Sequence, residues 1–260
     1  MSRVIALFNM SGGVAKSTLT VNLGYHLAHD FKKKVLLVDL DPQASLTTFL
    51  GVSPLEAEST VYQGLLSKEL QPIASENAEC DLIPSNIYLA QAELKLASEL
   101  RREYRLADAL SKISDSYDAI LIDCPPSLGL LSINCLVAAD YLLIPIQTEY
   151  KSVEATINLL QTAYEIAQEV NPSLRVLGAI PTMHDDRTSQ SKRALRTIKE
   201  VFQSLQSNPS FKGSIVFPPI PRRTDFANAT AAHLPLAKYS PRHNALAPIE
   251  TVAKAIRDVL

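Results

Sequence analysis

Val4-Ile5-Ala6-Leu7-Phe8-Asn9-Met10-Ser11-Gly12-Gly13-Val14-Ala15-Lys16-Ser17-Thr18 runs from an apolar strand through a glycine turn into a helix. The chain has eight glycines, and Gly12–Gly13 is the one adjacent pair. Glycines let a backbone turn so that its N–H groups converge, and the helix start adds the positive end of a dipole. Ser11, Gly12, Gly13, Val14, Ala15, Lys16, Ser17 and Thr18 therefore read as a phosphate cradle. Lys16 offers a point charge to the β and γ phosphates and Ser17 a hydroxyl ligand for Mg²⁺. The spacing departs from G-x-x-x-x-G-K-[ST], because Met10 and Ala15 stand at the two outer glycine positions. The plain alternative is a glycine turn ahead of a helix.

Outward from that stretch, short aliphatic runs recur at 35–38, 81–84, 119–122, 141–146, 174–180 and 214–217. Several are apolar without alternation, as strands covered on both faces are. Helical patterns lie between them at about 16–29, 89–113, 152–169, 189–206 and 245–259. Alternating β and α units predict an α/β fold, one doubly wound and mostly parallel sheet flanked by helices, in a single domain over 1–260. Residues 51–78 read as an irregular excursion with short helices. In such folds the working residues gather at the carboxyl ends of the strands.

Two more strand ends carry acids. Val38-Asp39-Leu40-Asp41-Pro42-Gln43 places two carboxylates two residues apart, one suited to a metal-bound water and the other to an attacking water. Asp41 before proline also fits a simple turn. Asp123 closes the apolar run 119–122 and is followed by Cys124-Pro125-Pro126-Ser127. An acid there is the expected Mg²⁺ partner of a phosphoryl-transfer site.

Composition narrows the classes. Hydrophobic residues at 47% and charged residues at 20% describe a globular chain that buries about three quarters of its unfolded surface. Cys80, Cys124 and Cys135 are too few for a disulfide framework and read as reduced, neutral thiols, without the placement an iron–sulfur cluster needs. No secretory layout and no apolar run near ~18 residues is visible, so a cytoplasmic protein is expected. His184, His233 and His243 have no partners at zinc spacing, and His26 and His29 read as surface groups.

GGVAKST, DLDPQ and YDAILIDCPPSLG together resemble the ParA/MinD group of deviant Walker-box ATPases, with similarity extending through 89–110, 144–160 and the C-terminal helix. The resemblance implies ATP and Mg²⁺ as cofactors, with Lys16 and Ser17 on the phosphates and metal. It implies Asp39 as a water-mediated Mg²⁺ partner, Asp41 as the residue that positions the hydrolytic water and Asp123 as the Walker B carboxylate. It further implies an ATP-bound homodimer with two nucleotides between its subunits, and hydrolysis that is slow until an adaptor stimulates it.

Ser11 departs from the group, which usually has a lysine there that reaches across the dimer. A serine hydroxyl supplies no positive charge. Lys151, after the run 141–146, is the candidate replacement, although a solvated lysine also suits that place. Serine at this position is similar to the branch called maintenance of carboxysome distribution protein A, which implies carboxysome positioning on the nucleoid. The other readings are a plasmid or chromosome partition ParA and a MinD-like membrane-associated regulator. The C-terminal helix has Lys254 and Arg257 offset by Glu250 and Asp258, so it resembles a docking helix and no membrane partner is expected.

The net charge of −2 conceals an asymmetry: residues 1–174 hold 12 Lys and Arg against 21 Asp and Glu, whereas 175–260 hold 13 against 6. Lys192, Arg196 and Lys199 fall on one helical stripe beside Arg193. With Arg222 and Arg223 they form a candidate surface for non-specific DNA, the partner the resemblance implies, with an adaptor of ParB or McdB type. A solvated helix face is the bland reading. Asp225 stands where the group carries an arginine. Arg187 suits either the nucleotide or a loop ion pair, and Phe217-Pro218-Pro219-Ile220-Pro221, with Pro219 at its centre, suits either an adenine wall or a rigid turn.

Overall fold

The computed structural model describes residues 2–149, 156, 160, 165 and 169–260. Eight strands among them form one sheet: β1 (Arg3–Leu7), β2 (Val35–Asp39), β3 (Ile73–Ser75), β4 (Cys80–Ile83), β5 (Ala119–Asp123), β6 (Tyr141–Gln147), β7 (Arg175–Thr182) and β8 (Ile215–Val216). Their order is β3-β4-β2-β5-β1-β6-β7-β8, and every pair is parallel except β3 with β4. The chain builds leftward from β1 through β2 to β4 and then rightward through β6 to β8. The reversal places a crevice at the carboxyl ends of β1, β2 and β5.

Alternation of side chains splits each central strand between two cores. Ala6, Leu36, Val38, Ile120, Ile122 and Ile144 face one, and Ile5, Leu7, Leu37, Leu121 and Leu143 face the other. Both are sealed by helices, which is why the strand sequences read as unbroken apolar runs. The second core is covered by α1 (Lys16–His29), through Leu19, Leu23 and Leu27, by α2 (Ser45–Phe49), and by the C-terminal helix Leu246–Arg257, through Ile249, Val252 and Ile256.

On the first core sit α3 (Val61–Ser67), α4 (Ala92–Leu96), α5 (Arg105–Ser111), α6 (Leu130–Ala138) and α7 (Ser189–Ser204). The helix expected over 89–113 is thus broken into a 3₁₀ turn at Ile87–Gln91, α4, a second turn at Arg102–Tyr104, and α5. Arg101, left-handed at φ 57, interrupts it, and Leu94 and Leu100 point outward instead of continuing an apolar face. The expected helix 152–169 falls mostly outside the described residues, as does Lys151.

Sequence periodicity missed α6, whose Leu-Leu-Ser-Ile-Asn-Cys-Leu-Val-Ala is apolar nearly all round. It also missed β3 and the short helices α8 (Asp225–Ala231) and α9 (Leu236–Tyr239). His26 is buried, not on the surface, with Nδ1 2.7 Å from Asp30 Oδ2. Among the described residues no helix is long and apolar enough to cross a membrane.

Candidate active site

The loop after β1 owes its shape to distant strands. Asn9 Nδ2 donates to the Pro145 carbonyl at 2.6 Å, while Asn9 Oδ1 accepts the Ser11 N–H at 2.8 Å. Thr182 Oγ1, at the end of β7, donates to the Val14 carbonyl at 3.2 Å. Gly13 and Ala15 are both left-handed, at φ 72 and 73, so the chain reverses before α1 begins. No side chain caps the first turn of α1, which leaves its N–H groups available to an anion.

Among the described residues, chain neighbours aside, no heavy atom lies within 4 Å of where a Cβ would stand on Gly12 or Gly13. Gly13 is required by its φ, but nothing within the chain requires Gly12, whose place opens onto the crevice. Lys16 Nζ lies against this loop and donates to the carbonyls of Asn9 and Ser11, each at 3.1 Å. Burial lowers its pKa, and the nearby Asp123, Cys124 and Asp41 oppose that shift.

Asp39 and Asp123 are register partners on β2 and β5. Asp39 is fully buried and saturated: Oδ1 accepts the Asp41 N–H at 3.2 Å, and Oδ2 accepts both the N–H and the hydroxyl of Thr47, at 2.9 and 2.7 Å. Burial pushes its pKa up to about 6 despite the Thr47 hydrogen bonds. Asp123 is just as buried, yet among the described residues neither carboxylate oxygen has a hydrogen-bond partner in good geometry, although the Ser17 hydroxyl comes close enough to act on it. Burial first and then the Asp39 charge hold its pKa well above the ordinary range, while the nearby Ser17 hydroxyl and Lys16 draw it down.

A buried carboxylate with no partner is costly, so an unpartnered Asp123 beside Ser17 fits a cation. Next to it, the Gly12–Gly13 cradle, Lys16 and the open start of α1 fit a polyphosphate. The residues therefore fit a Mg²⁺–nucleoside triphosphate, held by Lys16, the loop amides, Ser17 and Asp123.

Asp41 serves its own turn as well. Its Oδ1 accepts the Gln43 N–H at 2.9 Å, and its carbonyl accepts the Ala44 N–H and the Ser85 hydroxyl at 2.9 and 2.8 Å. The turn reading of Asp-Pro and the crevice reading thus coexist. Thr47 and Ser85 went unread in the sequence, and only the hydroxyl at the third position of α2 hinted at the first.

Beside Thr18 lies a recess of about 280 Å³ walled by Met183, Ile220, Pro221 and Phe226, with Arg222 and Arg223 at its edge. Pro219 does not line it; Ile220 and Pro221 do. The basic candidates lie on two segments of the chain. Lys192, Arg193, Arg196 and Lys199 are exposed along α7 and make no ion pair among the described residues, while Arg222 and Arg223 belong to the recess. Arg187 is engaged by Asp185 in a bidentate pair at 2.9 Å.

The family described as AAA domain matches residues 2–176. The sporulation initiation inhibitor protein Soj of Bacillus subtilis is 38% identical over 245 residues, covering 93% of each chain. The chain belongs to the ParA/MinD family of P-loop ATPases. A Mycobacterium smegmatis structure titled cobyrinic acid a,c-diamide synthase, with an ATP analogue and magnesium, is similar to it at 33% identity and a TM-score of 0.83. That likeness covers 99% of this chain and 94% of the other. Cyanothece McdA, solved as an aspartate-to-alanine variant with ATP, aligns at 27% identity and a TM-score of 0.84 over 98% and 96% of the two chains. The sheet of this ParA/MinD-family member is the expected doubly wound, mostly parallel one, with β3 as its antiparallel edge.

Proposed function

We propose that the chain is an ATP-switched positioning ATPase, one domain over 1–260, which hydrolyses ATP to ADP and phosphate and dimerises when ATP is bound. The observation that carries this is the unpartnered Asp123 carboxylate beside Ser17 and Lys16, a site completed by Mg²⁺–ATP. Mg²⁺ supplies charge compensation for the transferring phosphoryl group. Lys16 neutralises phosphate charge, the loop amides orient the chain of phosphates, and Asp41 orients the attacking water. The apolar recess beside Thr18 takes the nucleoside. Turnover is slow until an adaptor of ParB or McdB type stimulates it.

The ATP-bound dimer grips non-specific DNA through the free cations of α7, with Arg222 and Arg223 serving the nucleotide end, and the chain associates with the nucleoid. The C-terminal helix is packed into the second core through Ile249, Val252 and Ile256, which supports DNA over a membrane as its surface. Ser11 favours carboxysomes as the cargo, with Lys151 supplying the missing charge across the dimer; chromosome or plasmid partition is the other reading, supported by the likeness to Soj.

Gel filtration with and without Mg²⁺–ATP, followed by a DNA shift assay on each peak, tests the switch. DNA retardation confined to the ATP-shifted peak, weakening steeply with salt and lost in Lys192→Ala/Arg196→Ala, is expected. Retardation independent of ATP or of salt would reject the DNA reading.

A further inference from the structure

Two hydroxyls join the acidic strand end to a loop from another strand. Thr47, on α2, donates its Oγ1 to Asp39 Oδ2 at 2.7 Å and with the same oxygen accepts the Ser85 N–H at 2.9 Å. Ser85, two residues beyond β4, donates its own Oγ to the Asp41 carbonyl at 2.8 Å. Both side chains are fully buried. The Asp39–Asp41 segment is thus held at both ends, at the Asp39 carboxylate by Thr47 and at the Asp41 carbonyl by Ser85, and the two holders are bonded to each other.

We infer that Thr47 and Ser85 are positioning residues for hydrolysis, a clamp that fixes where the Asp41 carboxylate stands. The inference rests on the reading of Asp41 as the residue that orients the attacking water. Its physical ground is that a carboxylate on a turn before proline holds its place only as well as its backbone does. The Asp41 backbone N–H is bonded to Asp39, and its carbonyl is shared by Ala44 and Ser85. Removing Ser85 Oγ frees one side of that carbonyl. Removing Thr47 Oγ1 takes away one of the two hydrogen bonds at Asp39 Oδ2, the Thr47 N–H remaining, and leaves the Ser85 amide buried without that acceptor. Neither hydroxyl belongs to the phosphate loop, so nucleotide affinity stays intact while turnover falls, as for a group that acts on the transition state through another residue.

The test uses the full chain with Mg²⁺–ATP and compares Thr47→Val, Thr47→Ser, Ser85→Ala and Asp41→Ala. Single-turnover hydrolysis, ATP affinity and amide hydrogen exchange at Gln43 and Ala44 without nucleotide are measured. Thr47→Val and Ser85→Ala are expected to hydrolyse at least ~10-fold more slowly, with ATP affinity within about threefold of wild type. Exchange at the two amides is expected to quicken at least ~10-fold, and Thr47→Ser to restore both rates. Unchanged hydrolysis, unchanged exchange, or affinity lost together with turnover would overturn the clamp. Ser85→Ala, which removes one oxygen, decides between these outcomes on its own if Thr47→Val does not fold. Asp41→Ala hydrolysing like wild type would instead overturn the reading of Asp41, whatever the exchange rates show.

Discussion

Asp39 and Asp123 end neighbouring parallel strands in register, yet the first carboxylate accepts three hydrogen bonds and the second, among the described residues, accepts none in good geometry, with only the Ser17 hydroxyl close by. Two acids this close divide the work: Asp39 holds the protein together and Asp123 waits for a cation. Asp123→Asn is therefore expected to melt no lower than wild type in the absence of ligand at about pH 8, because an uncompensated buried charge has gone. The same variant should lose the part of the ATP-induced rise in melting temperature that depends on Mg²⁺. Differential scanning with ATP alone and with Mg²⁺–ATP measures both.

The acid pair also sets a pH dependence. Burial lifts the Asp39 pKa from 3.8 to about 6, so the folded chain prefers the protonated acid. Its support of the fold is complete below the unfolded value and is lost as pH rises through about 6; the Asp123 shift has the same direction. Wild type should therefore lose melting temperature between about pH 4 and pH 6 relative to Asp39→Asn, in which the Asp39 part of that slope is absent. Parallel curves for the two proteins would contradict the assignment.

The glycines of the loop separate conformation from ligand space. Gly13→Ala forces a Cβ into a left-handed backbone, with an expected cost of about 1–2 kcal/mol in unfolding free energy. Gly12→Ala adds a Cβ that, its chain neighbours aside, meets no heavy atom of the described residues within 4 Å, so its denaturant midpoint should match wild type while ATP affinity drops at least ~10-fold from lost approach to the phosphates. Urea unfolding alongside nucleotide titration distinguishes the two.

Lys16 donates to two carbonyls of its own loop, hydrogen bonds it would exchange for phosphate oxygens. Lys16→Ala removes a charge-assisted contact worth about 3 kcal/mol, which is roughly a 100-fold loss of ATP affinity. Isothermal titration measures it, and affinity within about threefold of wild type would place the phosphates elsewhere.

Much of this was legible in the amino-acid order alone. Short aliphatic runs located seven of the eight described strands: those of the central strands are apolar because both faces are covered, and the brief run 214–217 marks the exposed edge strand β8. The phosphate loop and its three acids were readable because each stands at the carboxyl end of such a run. Three residues of β3, Ile73–Ser75, are too short to show a period, and α6 is apolar on nearly every side, so periodicity passed over both. Of the proline stretch 217–221, Ile220 and Pro221 line the recess beside Thr18 and Pro219 does not, a distinction that the order of residues alone does not carry. Thr47 and Ser85 left almost no trace, since their meaning is a contact across 38 residues of chain.

The shape of the phosphate loop is dictated from far downstream: Asn9 is tied to Pro145 and Val14 to Thr182, separations of 136 and 168 residues. The nucleotide signature and the strands that mould it are thus far apart in the chain and meet only when the sheet is assembled. A chain cut before β7 would keep every residue of the cradle and lose the Thr182 contact that helps to shape it.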